Sequence, residues 1–192
     1  YHMILVAKDK VGHKQIRELS SKAWGRAYYM AIQRRYNIGA DFQEIIIPNR
    51  GHVIATTACL GGAPGVFYFQ KNYEMIDNHL ARMADVFGHE NFFVELAPSK
   101  YIEQIDYNKF MYERYHNQYN FVIATDSHYL NEKDFDIFKV ILNTGDGERE
   151  VEDFYKYSHM MTWEQITSFF DYLPKDFIES CRLNTLKIGE SS

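Results

Sequence analysis

Little in this sequence of 192 residues supports covalent cross-linking or a membrane span. Its two cysteines, Cys59 and Cys181, are too few for a disulfide framework, and that usage suits a reducing, cytoplasmic compartment. Four prolines and 11 glycines exclude a collagen-like or disordered chain. No apolar run approaches the roughly 20 residues that cross a bilayer, and no signal-peptide pattern opens the chain. Also missing are a Gly-rich phosphate loop, a Gly-x-Ser-x-Gly elbow and a Cys-x-x-Cys pair. Ordinary nucleotide-cofactor chemistry therefore has no support.

What is present is one domain's worth of core-forming residues, 46% hydrophobic and 16% aromatic, enough to bury a substantial interior. The net charge of −5 is unevenly spread. Residues 1–50 hold nine Lys/Arg against four Asp/Glu, and residues 51–192 hold twelve against twenty-two. Taken whole, such a chain is poorly suited to hold nucleic acid. The basic stretch with Lys22, Arg26, Arg34 and Arg35 fits either phosphate contact or a solvated helix face.

Four short apolar runs read as strands buried on both faces: His2–Ala7, His52–Thr57, Asn91–Leu96 and Asn120–Thr125. Helical patterns cover Gly12–Met30, Tyr68–Phe87 and Tyr101–Gln118, then Lys133–Leu142, Thr162–Phe170 and Pro174–Ile188. Thr162 reads as an N-cap and Pro174 as a helix start. Gln33–Arg50 reads as a loop with a short helical piece. The alternation predicts an α/β fold of about four parallel strands with flanking helices, followed by a helical C-terminal segment.

In such folds functional groups gather at the carboxyl ends of the strands. The fourth strand runs into Asp126-Ser127-His128, where an extended backbone would aim the carboxylate and imidazole to one side. That pair suits zinc, manganese or iron. Asp126 equally suits a helix cap. Cys59, before Gly61-Gly62, is a thiolate ligand, a nucleophile or a small buried hydrophobe. His2 belongs to the first strand, and Glu95 lies inside the third, where a buried carboxylate needs a partner or a metal. His13, His52, His79, His89, His116 and His159 have no paired ligand in sequence, so surface or capping roles are expected.

In order, these pieces resemble the PHP domain of bacterial replicative DNA polymerase III alpha subunits. Tyr1–Lys8 (YHMILVAK) is similar to the family's YHLxLLAKN, and Gly12–Ser20 to the G-x-x-N-L-x-x-L-x-S that follows it. Val53–Gly62 (VIATTACLGG) resembles GLIxxSACLGG, Asn91–Leu96 resembles FYLEL, and Phe121–Leu130 (FVIATDSHYL) resembles PxVATNDxHYL. Asn143-Thr144-Gly145 and Asn184–Ile188 are similar to the QTG and NTLEIA elements.

The resemblance implies a partial (β/α)7 barrel, with residues 1–145 as the C-terminal part of the PHP domain. Residues 146–192 would be a helical extension toward the polymerase core. It implies a ligand set of His2, Cys59, Asp126 and His128 for a divalent metal (zinc, manganese or magnesium). The family's His-x-His motif, with the Asp, His and Glu after it, is missing, and Phe138 stands where a family histidine follows D-x-H. A fragment with an incomplete metal-dependent phosphoesterase or exonuclease site is therefore expected, one that binds metal weakly or not at all. Such a fragment is also expected to leave a sheet edge unpaired and an apolar face uncovered, and either to self-associate or to bury that face against its own C-terminal helices. The parent would be a DNA-directed DNA polymerase, with DNA, replisome subunits and a proofreading exonuclease subunit as partners. A free-standing PHP phosphoesterase and a degenerate, non-catalytic PHP scaffold binding a proofreading subunit are the alternatives.

Overall fold

The computed structural model describes residues 1–25, 28–30, 33–35, 41–144 and 153–192. The chain opens with strand β1 (Ile4–Ala7) and passes through Asp9 into helix α1 (Lys10–Gly25). Asp9 Oδ1 accepts from the N–H groups of Val11 and Gly12 at 2.8 and 2.9 Å, satisfying donors that the first helical turn leaves open. Gly12 sits where α1 touches the next strand: a Cβ there would lie 1.9 Å from the His52 carbonyl oxygen.

The pattern predicted helix as far as Met30, yet α1 stops at Gly25, and Tyr28–Met30 forms strand β2. It pairs antiparallel with β3 (Gln33–Arg35), Tyr28 opposite Arg35 and Met30 opposite Gln33. Glycine is a poor helix former and tyrosine a good strand former, so a partner strand five residues on wins. Helix α2 (Asp41–Ile45) and a 3-10 turn at Ile47–Asn49 supply the short helical piece expected before Arg50.

Strand β4 (Val53–Thr56) is buried at every residue. Its register with β1 is antiparallel, Ile4 opposite Thr56 and Ala7 opposite Val53, which corrects the expectation of four parallel strands. One crossover helix returns a chain parallel; the β1–β4 connection instead contains two helices and a hairpin, so nothing forces a parallel return. Helix α3 (Ala63–Phe69) follows, then α4 (Tyr73–Phe87). The single helix expected from Tyr68 is thus two. Lys71 adopts a left-handed φ of 55°, and the Asn72 side chain caps α4 by accepting from Met75 N–H. Ile76, Leu80, Met83, Ala84 and Phe87 form the buried stripe of α4, each large apolar member stabilising by about 1.5–3 kcal/mol.

Strand β5 (Phe92–Leu96), also buried throughout, pairs parallel with β4, Ala55 opposite Phe92. Helix α5 (Ile102–Tyr115) leads to β6 (Asn120–Ile123), and the four-stranded sheet has the order β1–β4–β5–β6. Helices α6 (Phe135–Asn143), α7 (Trp163–Thr167) and α8 (Lys175–Glu190) complete the chain. Thr162 caps α7 in a reciprocal box with Gln165, as its sequence suggested. The domain boundary expected after residue 145 falls outside the described residues.

Two compact units are present, residues 1–94 with 185–192, and residues 95–184. In the first, Leu19, Ile46, Ile76, Leu80 and Phe87 are fully buried, and Phe42 meets Phe87 edge-on at 5.4 Å. In the second, Tyr107, Met111 and Tyr115 of α5 are fully buried. There Phe177 packs on Tyr112 and Phe121 at 4.6 and 5.2 Å, and the Asn184 side chain donates to the Phe121 carbonyl. Ile137, Val140 and Ile141 leave an apolar face of α6 exposed.

His79 of α4, expected at the surface, is half-buried, its ring edge-on to Phe67 of α3 at 6.4 Å. Burial first, then the charges of Arg82 and the chain's amino terminus, lower its pKa from 6.5 to about 4. The native state then refuses a proton that the unfolded chain binds, so stability is full above pH 6.5 and falls as pH drops toward 4. By linkage the loss is roughly 3 kcal/mol. In urea unfolding between pH 7 and 4, His79→Leu is expected to show a shallower decline than the parent chain by that amount. Equal slopes would rule out a native histidine held neutral.

Candidate functional site

In the first unit the candidate donors are His2 and Cys59. His2 precedes β1 and is held by its backbone, its N–H donating to the Gly61 carbonyl at 3.1 Å and forming a bridge with Gly62. Cys59 follows β4 in a tight turn closed by Gly62 N–H donating to Cys59 O at 2.8 Å. Ala58 takes a left-handed φ of 58° to enter that turn. A Cβ on Gly62 would lie 2.1 Å from the Thr57 carbonyl oxygen, so only glycine lets the turn fold back on the strand. The result places Cys59 Sγ 3.5 Å from His2 Nδ1. Two residues 57 apart in sequence thus become neighbouring soft and borderline donors.

In the second unit the donors are Asp126 and His128, both exposed. The backbone between them is not extended, as the sequence had suggested. Asp126 sits at φ 46°, a left-handed conformation that aspartate tolerates better than most residues. That turn brings the Asp126 carbonyl oxygen, not its carboxylate, to 2.5 Å from His128 Nδ1. A carbonyl only accepts, so Nδ1 is the donor in this contact and Nε2 is the ring nitrogen not used in it. Among the described residues Asp126 is not the cap of the helical turn that follows it. The cap of the following 3-10 turn is Asn131, in a reciprocal box with Asp134.

The loop carrying this pair is clamped by a segment that the sequence reading did not single out. His128 N–H donates to Ser158 O at 2.7 Å and Met160 N–H to Tyr129 O at 3.1 Å, while Ser127 Oγ donates to His159 O. His159, expected at the surface, is 6% exposed, and its Nδ1 has no hydrogen-bond partner among the described residues. No local pattern in Tyr157–Met160 announces this role, because the contacts are made with residues about thirty positions earlier. Tyr129 donates its hydroxyl to the carbonyls of Tyr155 and Lys156. Burial, and then Glu132, push its phenol pKa upward. The His128 ring lies 5.5 Å from Phe138 and 5.1 Å from Tyr155, so two aromatic rings flank it.

The family is decided by comparison with known proteins: the PHP domain family model matches residues 1–99. The chain belongs to the PHP domain family. It is 35% identical over 206 residues to a probable DNA polymerase, YorL, of Bacillus subtilis (strain 168). It is equally similar to a DNA-directed DNA polymerase of Bacillus phage SPbeta. Each alignment covers 98% of this chain and 16% of the relative. The DNA polymerase III subunit alpha of Aquifex aeolicus (strain VF5) is 26% identical over the whole chain, again across 16% of its own length. The chain therefore spans about a sixth of the polymerases it matches.

Within this PHP chain the donor chemistry suits a borderline cation, since imidazole, thiol and carboxylate all serve zinc. The donor count does not. Within either unit, among the described residues, no group of three or more His, Cys, Asp or Glu side chains is placed to hold an ion, and even an open catalytic zinc site uses three protein ligands. Glu95 is buried on β5 but is not gathered with Asp126 and His128 into such a group.

The clamp on the Asp126–His128 loop is open to measurement. Tyr129→Phe removes the hydroxyl that serves two carbonyls, and is expected to cost about 1 kcal/mol. Amide hydrogen exchange should speed up at His128 and Met160, with exchange in α4 unchanged.

Proposed function

We propose that this PHP chain is a region of a replicative-type DNA polymerase, akin to the polymerase III alpha subunit, and that the whole protein extends DNA by nucleotidyl transfer. What carries the reading is the end-to-end alignment. Similarity to the polymerases runs along 98% of the chain or more and yet spans 16% of their length, as expected of one module within a larger enzyme. The module would be part of a seven-stranded PHP barrel. DNA, other replisome subunits and a proofreading exonuclease subunit are its partners through the parent protein. Primer extension tests this directly. The longer protein encoded around this sequence should extend a primed template, and the 192-residue chain should not. A longer protein without polymerase activity would overturn the proposal.

Within that enzyme we assign this region a scaffold role rather than a phosphoesterase one. Two observations support it: among the described residues no three candidate donors are gathered within either unit, and Phe138 packs beside His128. When bound in a complete PHP domain, a divalent metal would activate water and neutralise charge on a phosphate ester. His2, Cys59, Asp126 and His128 are the residues of this chain that would ligate it. Elemental analysis of the dialysed chain is expected to find sub-stoichiometric zinc, manganese and magnesium, with phosphodiesterase activity at background. A stoichiometric metal lost on Asp126→Ala would restore the phosphoesterase reading.

A further inference from the structure

We infer that the solvent face of α1 is a surface that tracks the phosphates of duplex DNA, a choice of polyanion that rests on the polymerase reading above. Lys10, His13, Lys14 and Arg17 recur at helical spacing and share one stripe. All four are exposed, while Gly12, Gln15, Leu19 and Ala23 form the buried side of the same helix. Gln15 fixes that orientation by donating to the carbonyls of Ile45 and Asn49 at 2.8 and 3.0 Å. The stripe cannot roll inward.

Three of the acids around this helix are already engaged. Asp9 is bound by the first-turn amides and by His52 Nδ1 at 2.6 Å. Glu44 and Asp41 lie 2.7 and 3.8 Å from Lys22 Nζ. Glu18, the acid within α1 itself, also acts electrostatically on Lys22. Residues 51–192 hold twenty-two Asp/Glu against twelve Lys/Arg, so the chain's cationic excess lies in its first fifty residues, where α1 is.

The dimensions agree with such a partner. From Lys10 to Arg17 the helix rises about 10 Å, and one DNA strand presents about three phosphates along that distance of duplex axis. Lys10, Lys14 and Arg17 supply three permanent cations for them. The cations are matched to phosphates, which carry no sequence information, so binding is expected to be independent of sequence.

The test is fluorescence anisotropy of a labelled duplex of about 20 base pairs with the full 192-residue chain, in salt from about 20 to 200 mM. The parent chain should bind, with log K falling against log salt at a slope of about −3. Lys10→Glu/Lys14→Glu/Arg17→Glu should lose at least about tenfold in affinity and most of that slope. Lys133→Glu/Lys175→Glu/Lys187→Glu, an equal change in net charge on exposed positions elsewhere, should keep both slope and the larger part of the affinity. Circular dichroism checks folding, and the milder Lys10→Gln/Lys14→Gln/Arg17→Gln variant should show the same pattern. Equal losses in the α1 variant and the control overturn the inference, as does a parent chain that does not bind duplex at low salt. Binding to phosphatidylserine vesicles in place of duplex also overturns it. Primer extension by the longer protein reports separately. A polymerase whose α1 face is inert toward duplex sinks this inference alone, and a non-polymerase that binds duplex through α1 sinks only the polymerase reading.

Discussion

The first unit depends on how closely backbone approaches backbone around β4. A Cβ on Gly12 would meet the carbonyl of His52 before the strand, and one on Gly62 would meet the carbonyl of Thr57 after it. A Cβ on Gly65 would lie 2.3 Å from the Leu60 carbonyl oxygen. These glycines are spatial requirements, since backbone oxygens cannot move aside as a flexible side chain does. At one end of β4, Gly12 admits α1, whose Asp9 cap also pairs with His52. At the other, Gly62 closes the turn that carries Cys59. The ladder of β1 against β4 and the turn that brings Cys59 to His2 are therefore consequences of one packing condition.

The second unit solves a different problem, holding two exposed polar residues in a defined conformation. Its means are main-chain bonds from Ser158 and Met160, a Tyr129 hydroxyl shared between two carbonyls, and an aromatic wall of Phe138 and Tyr155. His128 Nδ1 is held by a backbone carbonyl, which does not titrate. Fixed geometry of this kind serves ligation and scaffolding equally.

Charge adds a second level of organisation to the first unit. The helix that packs Leu19 inward turns lysine and arginine outward, and the acids near it are held by a cap, a histidine and Lys22. A single amphipathic pattern thus builds the core and leaves a cationic surface, because the same 3.6-residue period sorts both.

All four main strands were legible in the sequence, since continuous apolar runs of β-branched and aromatic residues suit little else. The cap at Thr162 was legible for a similar reason: its partner Gln165 is three residues away. The candidate donors could be named from motif resemblance, but their conformation could not. The direction of β1, the left-handed turn at Asp126, the break at Lys71 and the burial of His79 and His159 were decided by tertiary structure. His159 acquires its surroundings from Tyr129, and Cys59 acquires its neighbour from His2, across separations of 30 and 57 positions. Local propensity acts over a turn or two of chain, whereas these arrangements follow from which backbone groups find partners when distant segments meet.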